Sequence, residues 1–156
     1  MTQARSLMTK RIIKVKPEMP IQAAYDEMKE HSIRHLPVID SVGKLVGILS
    51  DRDVQRAINV KQINEIEQEM TFNPHETVED YMNWPVQTVD ENSSIEDLTK
   101  MMIDLKLSAV IISGANQFIQ GIITTEDLLK YLLELLASSE ISRKMPLRNL
   151  FWEKTV

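Results

Sequence analysis

At 156 residues, with 43% apolar and 26% charged side chains, the chain is long enough to bury a hydrophobic core and too apolar to stay disordered. It has no cysteine, which excludes a disulfide framework, a thiolate zinc site and a cysteine nucleophile, and fits a reducing compartment such as the cytoplasm. A net charge of -5 excludes a generally basic nucleic-acid surface, and the most apolar stretch, 128–137, is too short and too interrupted by charge to span a bilayer.

In chain order, the opening residues lack the apolar region of a leader peptide. Ile21, Ala24 and Met28 then recur at helical spacing after Pro20, which predicts an amphipathic helix. The runs LPVI (36–39) and LVGIL (45–49) flank a turn-like DSVGK and read as a hairpin. SDRDVQRAI (50–58) opens with a hydroxyl residue and acids, as helix starts do. Residues 59–79 are polar and proline-bearing and read as a partly helical linker. In "MNWPVQTV" (82–89), Trp84 beside Pro85 reads as a packing residue.

The pattern then returns. Ile95, Leu98, Met102 and Leu105 predict a second helix from Ser94, AVIIS (109–113) and IQGII (119–123) a second hairpin, and TTEDLLKYLLELLA (124–137) a leucine-rich helix, either buried or shared across a dimer. The tail, 138–156, is basic and carries Phe151 and Trp152. A constant shift of 74 residues lays Met8 on Met82, Val15 on Val89, Gly47 on Gly121 and Asp53 on Asp127. Each half reads β-α-β-β-α, and a unit this small covers its sheet best against its twin. The expected fold is α+β, two repeats packed sheet to sheet about a pseudo-twofold axis.

The doubled G-h-h-S/T-x-x-D at 47–53 and 121–127, SIRHLPVID at 32–40 and MNWPVQTV resemble the cystathionine-beta-synthase (CBS) domains, which occur as tandem pairs called Bateman modules. The resemblance divides the chain into a first repeat (1–58), a linker (59–79), a second repeat (80–137) and a tail (138–156). It implies a regulatory module without catalysis and with no obligatory cofactor. Such a module binds AMP, ADP or ATP between the repeats, forms a homodimer and signals to a protein partner by a change of shape. A sensor of S-adenosylmethionine and a ligand-free interaction module are the alternatives.

Ser50-x-x-Asp53 and Thr124-x-x-Asp127 match capping boxes. The resemblance adds a second role, in which the carboxylate accepts the two ribose hydroxyls. It also supplies phosphate-binding positions from the opposite repeat: Arg34, His35 and Arg52 for the cleft of Asp127, but Ser108, Ala109 and Glu126 for that of Asp53. One competent cleft is therefore expected, holding Thr124, Asp127, Arg34, His35 and Arg52, with the base against Val86 and the backbone around Gln87 and Thr88. The weaker cleft is assigned Ser50, Asp53 and Ile12, with Lys14 where Thr88 stands in the other. His31 and His35 with Glu27 lack a fourth metal ligand, glycine loops of the GxGxxG or GxxxxGK kind are absent, and HExxH and GxSxG spacings do not occur, so no metal and no enzyme chemistry is expected.

Overall fold

The structure is a computed structural model, and it describes residues 2–63 and 68–138. Five helices form in the described residues: α1 (Ala4–Leu7), α2 (Ile21–Glu30), α3 (Asp51–Ala57), α4 (Ile95–Asp104) and α5 (Thr125–Ser138). The strands are β1 (His35–Ile39), β2 (Leu45–Ser50), β3 (Asn59–Gln62), β4 (Gln68–Thr71), β5 (Thr88–Val89), β6 (Ala109–Ser113) and β7 (Ile119–Thr124). β1 pairs antiparallel with β2, and β6 with β7, so both expected hairpins form. The leading strand of each repeat is short. In the first it is a parallel bridge of Val15 with Val38, and in the second it is β5 beside β6.

Period-two alternation builds three cores. Leu36, Val38 and Leu49 meet Ile21, Ala24 and Met28 of α2 in the first repeat. Val110, Ile112 and Ile123 meet Ile95, Leu98 and Met102 of α4 in the second. The opposite faces of the same strands, Ala109, Ile111 and Ile122 with Leu45 and Ile48, pack sheet against sheet between the repeats. The α+β pair with a central sheet-to-sheet contact is thus present. Both α2 and α4 end in a left-handed residue, Ser32 (φ 52) and Lys106 (φ 54), 74 residues apart as the repeat requires.

Each half also lends its leading segment to the other. Ala4 is fully buried in the core of the second repeat, while Val78, in a 3-10 turn at Val78–Asp80, is fully buried in the core of the first. Between these borrowed ends run two extended straps. The first leaves β7 at the antiparallel bridge Thr9–Ile122 and reaches β1 at Val15–Val38. The second leaves β2 at Asn83–Ile48 and reaches β6 through β5.

Three expectations change. Residues 59–79, expected to be partly helical, contain the β3–β4 ladder, in which Val60 faces Met70 and Lys61 faces Glu69. Trp84 is 73% exposed and does not pack in a core, because the second strap turns its indole outward. Leu128 of α5 packs against the second core, whereas Leu129, Leu132, Leu133, Leu135 and Leu136 are exposed, so among the described residues burial accounts for only part of this helix's leucines. The tail residues Phe151 and Trp152 lie outside the described residues.

Candidate functional site

A cleft of about 680 Å³, within the range of small-molecule sites, lies between the repeats. One wall is the end of β7 and the first turns of α5, with Ile122, Thr124, Glu126, Asp127 and Lys130; the other is the C-terminal end of α2 and the start of β1, with Glu27, His31, Arg34 and His35. The floor is the first strap, with Thr9, Arg11, Ile12 and Ile13.

Of the residues assigned to one cleft from the sequence, Thr124, Asp127, Arg34 and His35 are brought together here. Val86, Gln87 and Thr88 are not. Val86 packs in the contact between the sheets, and Val86 and Thr88 line a separate opening of about 280 Å³ beside Trp84. Ile12, assigned to the weaker cleft, takes their place beside Asp127. The cause is the crossing of the straps: residues 9–15 bridge β7 to β1 and so run under the motif of the other repeat. Arg52 is exposed and its backbone N–H donates to Asp51, so it faces His35 only at longer range.

Sequence reasoning missed Thr9, Arg11, Ile13 and Lys130. The 74-residue shift lays Thr9 on Asn83 and Lys130 on Arg56, but that these two touch Asp53 is visible only in the structure.

The doubled motif does form two capping boxes. Thr124 N and Thr124 Oγ1 donate to Asp127 Oδ2 at 2.8 and 2.7 Å, and Asp127 N donates back to Thr124 Oγ1 at 3.4 Å. Asp127 Oδ1 accepts no hydrogen bond among the described residues, and Asp127 lines the cleft. In the first repeat the same box holds Asp53, where Ser50 N and Oγ donate to Oδ2 at 2.8 and 2.6 Å. There, however, Asn83 Nδ2 also donates to Oδ2 at 2.9 Å, and Arg56 Nη2 donates to Oδ1 at 2.9 Å. Asp53 is 8% exposed and both its oxygens are engaged.

The basic side chains of the site are not equivalent. Lys130 pairs with Glu126 at 2.8 Å, which lowers the Glu126 carboxyl and raises the Lys130 ammonium from their ordinary values. His31 pairs with Glu27 at 3.4 Å. Arg11 and Arg34 make no ion pair among the described residues and are the fixed positive charges available to an anion. His35 Nε2 and Ser108 Oγ lie 2.8 Å apart and join the two repeats. Ser108, assigned to the other cleft from the sequence, is therefore drawn to this one.

Burial lowers the His35 pKa from its ordinary 6.5, with Arg34 and Arg52 acting the same way against Asp51 and Asp53. The folded state thus binds the His35 proton less readily than the unfolded chain. This contribution to stability is complete above the unfolded value and is lost as the pH falls below it. Unfolding temperatures recorded from pH 7.5 to 5.0 are expected to fall more steeply for the native chain than for His35→Gln. Parallel curves would remove His35 as the source.

The CBS domain family model matches the chain twice, at residues 4–60 and 78–134. An uncharacterized 17.7 kDa protein of the bps2 3' region of Acidianus ambivalens is 31% identical over 134 residues, which is 86% of this chain and 75% of the relative. The L-aspartate semialdehyde sulfurtransferase of Methanocaldococcus jannaschii is 26% identical over 81% of this chain, and the chain spans 22% of its length. Among solved structures, the CBS domain pair of protein MJ0100, in complex with 5'-methylthioadenosine and S-adenosyl-L-methionine, superposes with a TM-score of 0.73 at 24% identity, over 86% of this chain and 98% of that one. CBSX2 in complex with AMP superposes with a TM-score of 0.71 at 23% identity, over 86% and 98%.

Proposed function

Because the chain belongs to the CBS-domain family and carries that domain twice, we propose that it is a regulatory module, not an enzyme, which takes an adenosine-containing ligand in the cleft of Asp127. The observation that carries this reading is the free Asp127 Oδ1 in a cleft that also holds Arg11 and Arg34. An ionised carboxylate offers only acceptors, which suits a vicinal diol whose two hydroxyls donate. Ile12 and Ile13 give the base an apolar floor, and the two arginines give charge-assisted bonds to a phosphate.

A phosphorylated adenosine such as AMP, ADP or ATP uses all of these groups. S-adenosylmethionine brings a sulfonium, an ammonium and a single carboxylate and leaves part of the arginine charge unmatched, so it is the second reading. Because the walls come from different repeats, a bound ligand favours the arrangement it binds more tightly, and by no more than that difference in affinity. The exposed leucines of α5, the helix that carries Thr125 to Asp127 at its start, support a homodimer and a route from the cleft to a partner protein.

Thermal unfolding with millimolar AMP, ADP, ATP, S-adenosylmethionine and adenosine tests the reading. A ligand at one hundred times its Kd stabilises the native state by about 2.7 kcal/mol. In a chain of this size that is a rise of roughly 5–10 °C. The phosphorylated compounds are expected to give the larger rises. No rise with any compound would overturn the reading, and a rise with S-adenosylmethionine alone would move the assignment to it.

A further inference from the structure

The two aspartates of the doubled motif occupy equivalent positions and are treated differently by their neighbours. The 74-residue shift pairs Arg56 with Lys130, Asn83 with Thr9, and Arg52 with Glu126. Near Asp127, the acid Glu126 stands one helical turn before Lys130 and engages it at 2.8 Å, so the ammonium is held off the aspartate. Near Asp53, position 52 is itself an arginine and offers Arg56 no such partner. Arg56 turns instead to Asp53 Oδ1 at 2.9 Å and reaches the Tyr81 carbonyl at 3.3 Å. Asn83, on the second strap, completes the enclosure by donating to Asp53 Oδ2 at 2.9 Å.

We propose that Arg56 and Asn83 close the second cleft by serving as permanent occupants of the Asp53 carboxylate. Their N–H donors take the places that a ligand's two hydroxyls would need, so that one chain takes one ligand. A diol entering there would have to displace both the Arg56 guanidinium, itself 62% exposed, and the Asn83 amide from a carboxylate whose side chain is only 12% exposed. Removing the two occupants should admit an uncharged nucleoside. The inference rests on the reading that Asp127 receives a ribose diol.

Calorimetric titration with adenosine tests it in the native chain and in the double variant Arg56→Ala, Asn83→Thr. The expected result is one adenosine per native chain, two per variant chain, and a return to one when Asp53→Asn is added to the variant. Two per native chain, or one per variant chain, would overturn the proposal. If adenosine and AMP bind to neither protein, the proposed function falls, and the enclosure is then judged by unfolding alone. Asp53→Asn must lower the unfolding temperature of the native chain more than Asp127→Asn does, because only Asp53 is held by an ion pair and a strap. Equal falls would overturn it.

Discussion

Asp127→Asn is expected to weaken adenine-nucleotide binding by roughly ten- to a hundredfold, the equivalent of a lost charged hydrogen bond of about 1.5–3 kcal/mol. The substitution is chosen to separate two roles that one carboxylate performs. The amide oxygen of asparagine can still accept from Thr124 N, which the carboxylate does at 2.8 Å, so the start of α5 keeps an acceptor for its capping N–H. What the substitution removes is the negative charge and the second acceptor, which lies on the Oδ1 side. The folded chain should therefore persist, as circular dichroism would record, while affinity falls. Asp53→Asn is expected to leave nucleotide affinity within about twofold, since Asp53 is enclosed by Arg56 and Asn83. Equal losses from both substitutions would mean that both aspartates meet ligand, and unchanged affinity in Asp127→Asn would move the site away from this cleft.

Much of this arrangement is legible in the sequence because it is local or repeated. The helix starts at Pro20 and Ser94, the hairpins and the Ser/Thr-x-x-Asp caps each depend on residues within a few positions of one another, and the 74-residue shift doubles every signal. The straps are not legible in this way. Residues 9–15 attach to their neighbours by one bridge at each end, which leaves too short a run for either the period of a strand or that of a helix. Their crossing decides that Ile12, not Val86, lies beside Asp127. The β3–β4 ladder escapes for a related reason: its eight residues are all exposed, so no buried face imposes an alternation. The state of Asp53 escapes too, because Arg56 has a choice of acids that only the absence of one at position 52 settles. The motif thus marks two equivalent aspartates, and residues outside it decide which of them is open.

Gly121→Ala is expected to destabilise the fold by about 1–3 kcal/mol, the usual cost of forcing a carbon into a filled space, and Gly47→Ala by less. Both glycines open the doubled motif, and each lies under a methionine of a strap, Met8 over Gly121 and Met82 over Gly47. Neither has a left-handed backbone, so what the sites require is space. The spaces differ. A Cβ on Gly47 would press on the Met82 sulfur and come within 3.1 Å of its Cγ and 3.3 Å of its Cβ, and the flexible thioether can swing aside. A Cβ on Gly121 would meet both Cβ and Cγ of Met8 at 2.8 Å.

A Cβ cannot move without its backbone, and the backbone of the first strap is pinned by Met8 N to Ala4 O and Thr9 N to Ile122 O, both at 2.9 Å. Gly121→Ala must therefore lift the strap from β7, and the strap carries Thr9, Arg11 and Ile12 into the cleft. Denaturant unfolding and nucleotide affinity should both decline in Gly121→Ala, whereas Gly47→Ala should leave affinity unchanged. Met8→Ala added to Gly121→Ala relieves only the contact with Cγ and sulfur and should recover part of the lost stability. Met8→Gly removes the Cβ as well and should recover the strap's position and with it the affinity. If Gly121→Ala lowers stability and leaves affinity intact, the strap is not what carries Thr9, Arg11 and Ile12 to the ligand.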